Sequence, residues 1–347
     1  MSIIFTFSIY FIFNYLQIFN INFSFGVDYP SSSVRLQDNS RTDQPMWSTY
    51  NVQTLINYED DPYQSTFSGT TPKKNSIFFA DMVRTATNLA RRLYKTRLDV
   101  RYGGENDNQL LDIYFKDEEH GTPILVFIHG GNWQLLDKSA SGSLVHTFVE
   151  LNYRVLVVDY DLCPNVNLAQ LTQQILNFYK WLRVYANDTG ATKISICGHS
   201  AGAHLALQLF DDVFLKSQHD LDLIDHLFLI SGLYDLRQLW SLNTTNSNNI
   251  LGLNANLAIE LSPFCSTYND ELLAKYRKQN LCLHLLVGEN DSNTFKLQSQ
   301  NYAHKLMQLN MNVNYRVFRS YDHFDIIEEC SNPDSAISRY MQHEMKI

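Results

Sequence analysis

The sequence lacks paired cysteine motifs and an excess of positive charge, and each absence argues against a class of function. Its five cysteines show no C-x-x-C spacing, so neither a zinc site nor a redox pair is predicted; they are Cys163, Cys197, Cys265, Cys282 and Cys330. The 347 residues include 27 lysines and arginines against 36 aspartates and glutamates, a net charge of −9. Such a surface repels phosphate backbones, so nucleic acid is not an expected partner.

The first 26 residues lack any charged side chain. Their apolar character suits a signal peptide or membrane anchor, and Ser24 and Gly26 are small residues of the kind that a signal peptidase reads. The segment lacks the basic n-region of a signal peptide. It also contains four side-chain amides that are unfavourable in a membrane helix: Asn14, Gln17, Asn20 and Asn22. We therefore divide the chain into a hydrophobic segment over 1–26, a polar linker or arm over 27–76 and a folded domain over 77–347.

Regular strand and helix patterns begin near residue 97. RLDVRY and LLDIYF alternate around the turn-like GGENDN and predict a hairpin. PILVFIHGG, YRVLVVDY and KISICGHS are short apolar runs typical of strands buried on both faces, and HLFLISG, CLHLLVGEND and VNYRVF follow. Helical spacing lies between them, as in LAQLTQQILNFYKWLRVYA. This order predicts an α/β fold with a mostly parallel eight-stranded sheet, antiparallel at its start, and helices on both faces.

Ser200 lies in CGHSAGAHL, between the strand KISIC and a helical pattern. A tight strand-to-helix turn needs glycine beside it, and Gly198 and Gly202 supply it on both sides. Such a turn lifts a serine hydroxyl above the carboxyl edge of the sheet and aims a helix N-terminus at the atom it attacks. The sequence therefore predicts a nucleophile elbow with Ser200 as the nucleophile.

A serine hydroxyl needs a base and an acid, which in such a sheet follow it along the chain. His323 comes after VNYRVF and is the predicted base. Asp291 ends the strand LHLLVGEND and is the leading acid, whereas Asp235 in SGLYDLR also follows a strand and stays a rival. We consider the remaining acids and histidines near these strand ends weaker candidates: Glu289, Asp322, Asp325, His129, His199 and His204.

HGGNW, residues 129–133, follows the third strand. Glycines let the main chain approach a substrate closely, and backbone N–H groups on a rigid loop stabilise a developing oxyanion. We expect the donors to be the amides of Gly131, Asn132 and Ala201. His129 is expected to hold the loop by hydrogen bonding, and Gly130 belongs to the same motif. Trp133 suits either packing of the loop or the wall of the pocket.

Together these motifs resemble the kynurenine formamidase (arylformamidase) family, in the hormone-sensitive-lipase-like branch of the α/β-hydrolase fold. HGGNWQ, VVDYDLCP, GHSAGAHL, SGLYDL, LSP, VGENDSNTFKLQS and DHFDIIE occur in order between residues 95 and 330. The resemblance implies Ser200 as nucleophile, Asp291 as acid and His323 as base, and it demotes Asp235. Residue 132 departs from the family, since it is Asn where the animal enzymes commonly have Tyr.

The resemblance implies hydrolysis of N-formyl-L-kynurenine to L-kynurenine and formate, without metal or cofactor, beneath a small lid formed partly by residues 233–282. A small-molecule substrate, either an aryl formamide or a small ester, is then the expected partner, and a homodimer stays open. A small-acyl carboxylesterase of the same branch, another amidase, and a catalytically inactive binding protein on this fold are the alternatives. The family is usually cytosolic, whereas residues 1–26 suit the secretory pathway, so the compartment also stays open.

Overall fold

The computed structural model describes residues 76–104, 108–211, 223–278 and 281–346. The hydrophobic segment 1–26 and all but the last residue of the predicted linker lie outside this part of the chain. Among the residues described, no helix is both long enough and apolar enough to cross a membrane. The proposed domain boundaries stay predictions.

One eight-stranded sheet organises the domain, in the order β1-β2-β4-β3-β5-β6-β7-β8. The first two pairings, β1 with β2 and β2 with β4, are antiparallel, and the other five are parallel. The mostly parallel sheet with an antiparallel start is therefore confirmed. The strands are β1 (Lys95–Arg101), β2 (Leu110–Phe115), β3 (Ile124–Ile128), β4 (Arg154–Val158), β5 (Ile194–His199), β6 (Ile224–Ile230), β7 (Cys282–Gly288) and β8 (Val313–Phe318).

Helices cover both faces of the sheet. One apolar cluster joins alternate strand residues such as Val126 to helices α3, α4 and α7, and a second joins the intervening residues, such as Leu125, to α1, α2 and α9. This alternation explains the continuous apolar runs of the central strands, because both faces are buried. The helices are α1 (Ser76–Leu93), α2 (Val145–Glu150), α3 (Leu168–Thr189), α4 (Ala201–Asp211), α5 (Ala255–Glu260), α6 (Asp270–Arg277), α7 (Asn293–Gln308), α8 (Asp325–Glu328) and α9 (Ala336–Glu344).

Helix α3 shows how the local sequence sets an element's limits. Its apolar residues recur at helical spacing and pack into the core, among them Leu171, Ile175, Phe178 and Leu182. The side chain of Asn167 accepts a hydrogen bond from the amide of Gln170, whose own side chain accepts one from the Asn167 amide. This reciprocal cap starts the helix, and Gly190 at φ +63° ends it in a left-handed turn.

The segment between β6 and β7 lies where a lid was predicted. It contains α5 and α6 with short 3₁₀ turns, and it contacts the start of α3, since the Leu168 amide donates to the Leu251 carbonyl at 3.0 Å. It also contacts the residue that follows HGGNW, because the Gln134 carboxamide donates to the Thr245 carbonyl at 2.8 Å. That this segment covers a bound substrate remains a proposal.

Candidate active site

Ser200 lies between the last residue of β5 and the first residue of α4, at φ +54°. This left-handed conformation is rare and strained for a residue with a side chain. A Cβ atom added at Gly198 would clash with the carbonyl oxygen of Gly202. A Cβ atom added at Gly202 would clash with the carbonyl oxygen of Ile128. The two glycines around the serine are therefore a steric requirement of this turn.

The structure brings Ser200, His323 and Asp291 into one hydrogen-bonded line. The hydroxyl of Ser200 is 3.0 Å from Nε2 of His323. On the other side of the ring, Nδ1 of His323 is 3.2 Å and 3.1 Å from the two carboxylate oxygens of Asp291. A neutral ring that donates from Nδ1 leaves Nε2 free to take the serine proton. The arrangement has the geometry of a nucleophile, a base and an orienting acid, and the catalytic roles stay predictions.

Asp291 is buried but remains an acid that is easily ionised. Burial on its own raises the pKa of this carboxyl. The charge and hydrogen bonds of His323, together with the Ser292 amide, outweigh burial and lower the pKa below its ordinary value. The Ser292 amide donates to Asp291 at 2.8 Å. The carboxylate is therefore negative at neutral pH and can stabilise an imidazolium at His323.

The ring of His323 is held by neighbours that sequence reasoning did not assign. The ring of Phe295, in the first turns of α7, lies 4.4 Å away between centroids. Nε2 of His199 donates to the His323 carbonyl at 2.8 Å. Phe295 belongs to the motif VGENDSNTFKLQS, so the resemblance contained its signal, whereas His199 was considered only as a candidate base and set aside.

The weaker candidate acids have other partners. The carboxylate of Asp235 binds Arg237 through both oxygens, the shortest contact being 2.6 Å. Glu289 accepts the Ser320 amide at 2.9 Å. Asp322 accepts two backbone amides of the turn that carries His323. They are those of Phe324 at 2.8 Å and Asp325 at 2.9 Å. Asp291 is thus the acid that the structure brings to His323.

The loop after β3 has an unusual backbone. Gly131, Asn132 and Trp133 have φ angles of +106°, +57° and +60°, which are left-handed at three successive positions. Within the described part of the chain, the amides of Gly131, Asn132 and Ala201 donate to no protein acceptor. Successive amides of such a turn form a concavity suited to an anion. The assignment of these three amides as the oxyanion hole stays a prediction.

The other residues of HGGNW are buried and support the loop. The ring of His129 stacks on that of Tyr160, with 4.3 Å between the ring centroids. Its Nδ1 lies 2.8 Å from the carbonyl oxygen of Gly130. The Tyr160 hydroxyl donates to the His129 carbonyl at 2.8 Å. Trp133 has no exposed surface and meets His204 edge-on at 5.2 Å. Trp133 is thus packed inside the protein, and a role for it in lining the pocket stays a prediction.

No cluster of three or more potential metal ligands occurs among the residues that the structure describes.

Comparison with known proteins places this geometry in a family. A family model described as an alpha/beta hydrolase fold matches residues 125–325. A kynurenine formamidase of Drosophila melanogaster is 35% identical over 286 residues, covering 81% of this chain and 93% of its own. One of Danio rerio is 29% identical, covering 75% and 85%.

Solved structures give the same fold at lower identity. A Pyrobaculum calidifontis esterase superposes with a TM-score of 0.58 at 15% identity, covering 82% of this chain and 96% of its own. Family match, relatives and fold agree with the motif resemblance. The chain belongs to the α/β-hydrolase fold family and is a hydrolase related to the kynurenine formamidases.

Proposed function

We propose that this protein hydrolyses N-formyl-L-kynurenine to L-kynurenine and formate, with Ser200 as nucleophile, His323 as base and Asp291 as acid. The observation that carries the proposal is the 3.0 Å contact from the Ser200 hydroxyl to a His323 ring that Asp291 orients. The relatives that match most of the chain are named kynurenine formamidases, which supports the choice of substrate.

In the first half of the reaction, Ser200 attacks the formyl carbon while Nε2 of His323 takes the hydroxyl proton. The carbonyl oxygen becomes an oxyanion and accepts hydrogen bonds from amides of the HGGNW loop and the start of α4. Collapse of this intermediate breaks the carbon–nitrogen bond. His323 then gives its proton to the leaving aryl amine, and a formyl ester remains on Ser200.

In the second half, a water molecule gives a proton to His323 and attacks the formyl ester. The new tetrahedral intermediate expels the Ser200 oxygen, which recovers the proton from His323, and formic acid leaves and ionises to formate and a proton in water. Asp291 stays ionised throughout and compensates the charge of the imidazolium. Atoms and charges balance with water as the only co-reactant.

An esterase acting on small acyl esters is the second candidate, because the same triad and oxyanion donors serve both bonds. The solved structures of this fold include esterases, which keeps that candidate open at the level of fold. A catalytically inactive binding protein is less well supported. Such proteins often lose a member of the triad, and here all three side chains are present and connected.

Replacement of the nucleophile is the decisive experiment. Ser200→Ala should lower formylkynurenine turnover by on the order of 10⁵-fold or more, because a triad member acts as part of a unit. Ser195→Ala is the matched control: this serine lies on the same strand, and its hydroxyl donates to Asp225 at 2.8 Å. It should keep turnover. Wild-type activity in Ser200→Ala would refute the mechanism.

A parallel assay separates the two candidate reactions. Purified protein should turn over formylkynurenine with a higher kcat/KM than a short-chain aryl ester, and a fluorophosphonate should label Ser200. Labelling with ester turnover alone would replace the formamidase by the esterase. Absence of both labelling and turnover would favour the binding protein.

A further inference from the structure

His199 connects three parts of the proposed site. It ends β5 and directly precedes Ser200, and its side chain is almost completely buried. Its Nε2 lies 2.8 Å from the carbonyl oxygen of His323, and the two rings are 4.8 Å apart between centroids. An added side-chain carbon at Gly130 would stand 3.0 Å from Nδ1 of His199. The ring therefore contacts both the base-bearing loop and the loop after β3.

The hydrogen bond fixes the protonation of this ring. A carbonyl oxygen only accepts, so Nε2 of His199 must carry the hydrogen. Burial, and next to it the charge of His323, lowers the pKa of His199 to about 3, with Asp291 opposing this more weakly. The imidazole is therefore neutral at the pH of catalysis. A neutral donor does not repel the positive charge that His323 acquires in each half of the reaction.

We infer that His199 is a positioning residue for this reaction: its Nε2–H holds the His323 backbone and thereby sets the distance from the base to Ser200. The inference rests on the proposed triad mechanism, but not on the choice of formylkynurenine as substrate. The restraint is direct, because the carbonyl that His199 binds belongs to the same residue as the catalytic ring. Displacements of about 1 Å in such constellations can reduce rates by about 10²-fold.

Two substitutions separate the hydrogen bond from the volume of the ring. His199→Phe keeps an aromatic ring but removes the donor, and leaves the buried His323 carbonyl without a partner. It should lower kcat for a short-chain aryl ester by about 10- to 100-fold with little change in KM. His199→Gln keeps an N–H near the position of Nε2 and should recover kcat to within about fivefold of wild type. Fluorophosphonate labelling of Ser200 should follow the same order.

The division of the effect between kcat and KM gives a readout that a purely structural role would not move. Recovery of kcat by His199→Gln, which restores an N–H donor but not the imidazole ring, is the second such readout.

His284→Phe is the matched control for loss of a buried histidine. Burial, and next the charge of His226, also lowers the pKa of His284 to about 3. His284 lies near the amino end of β7. Its ring forms hydrogen bonds with the His226 ring at 2.9 Å and with the Tyr340 hydroxyl at 2.8 Å. This change should lower the denaturation midpoint and leave kcat unchanged.

The outcomes distinguish this inference from the proposed function. Wild-type kcat in His199→Phe, or equal losses in His199→Phe and His199→Gln, would overturn the role of His199 while Ser200 labelling persists. A wild-type protein whose Ser200 is not labelled would overturn the triad and this inference together. Ester turnover without formylkynurenine turnover would overturn only the substrate assignment.

Discussion

The loops that follow β6 and β7 offer two aspartates at the same edge of the sheet, and they use them differently. Asp235 lies five residues beyond the end of β6, and Asp291 lies three beyond the end of β7. The side chain of Asp291 has no exposed surface and binds His323, whereas that of Asp235 is 22% exposed and binds Arg237. Strand order places both acids at the edge, and the side chain that each one contacts distinguishes them.

Helix α7 joins the two loops. Its N-cap Ser292 supplies the amide that donates to Asp291. Farther along, the carboxamide of Gln298 accepts the amides of Tyr234 and Asp235 at 2.8 Å and 2.9 Å and donates to the Asp235 carbonyl at 3.0 Å. One helix therefore orients the acid of the proposed triad and fixes the backbone of its rival.

Neutralisation of the two acids gives the largest expected difference. Asp291→Asn should reduce kcat by on the order of 10⁴-fold, because the amide no longer selects the His323 tautomer that leaves Nε2 free. Asp235→Asn should reduce it by less than about tenfold, since it weakens an ion pair away from the reacting atoms. Steady-state kinetics with circular dichroism as a folding control would test the pair. A larger loss in Asp235→Asn, with both variants folded, would reverse the assignment.

Removal of the hydrogen bonds between Gln298 of α7 and the loop after β6 should have an intermediate effect on activity. Gln298→Met keeps the length of the side chain but removes the carboxamide oxygen that accepts the Tyr234 and Asp235 amides, at a cost of about 1–3 kcal/mol in the free energy of unfolding. We expect kcat to fall only several-fold, because Asp291 keeps its contacts. Urea denaturation would measure the loss in the free energy of unfolding, and steady-state kinetics would measure kcat.

Gln308→Met on the same helix is the control for the Gln298 change, since Gln308 is exposed near the end of α7. It should leave both stability and kcat near wild type. Equal destabilisation in the two variants would mean that the carboxamide of Gln298 does not fix the β6 loop.

Removal of the Asp235 partner should have the smallest effect. Arg237→Met breaks an ion pair whose side chains are 34% and 22% exposed, and partly exposed pairs contribute about 0–1 kcal/mol. The change also removes the guanidinium that lies 5.8 Å from the centre of the Phe264 ring, a contact worth about 0.5–1 kcal/mol at an exposed site. A change in the free energy of unfolding above about 2 kcal/mol would show that this loop depends on Arg237 more than the comparison suggests.

The sequence predicted the sheet and the three triad candidates because both follow from local patterns. Apolar runs identify the strands, and a parallel sheet collects their carboxyl ends, so Ser200, Asp291 and His323 were expected at one edge. The contacts of His199 and Phe295 with His323 were not predictable in this way. They depend on side-chain directions across distant segments. The contact that separates Asp291, the leading acid from the sequence, from its rival Asp235 depends on them as well. The left-handed backbone at Asn132 and Trp133 likewise has no local signal beyond the neighbouring glycines.

The strand order also has a consequence for the timing of biosynthesis. Chains are made from the N-terminus, and domains of this size commonly pass through partly folded states. The loop after β3 and the elbow at Ser200 emerge early, whereas His323 lies 123 residues after the serine and beyond the edge strand β8. A nascent chain therefore presents the proposed nucleophile without its proposed base until the last strand has been added. On the proposed mechanism, hydrolytic activity would report completion of the whole sheet, and a variant that fails only in docking β8 would be inactive although most of its core is formed.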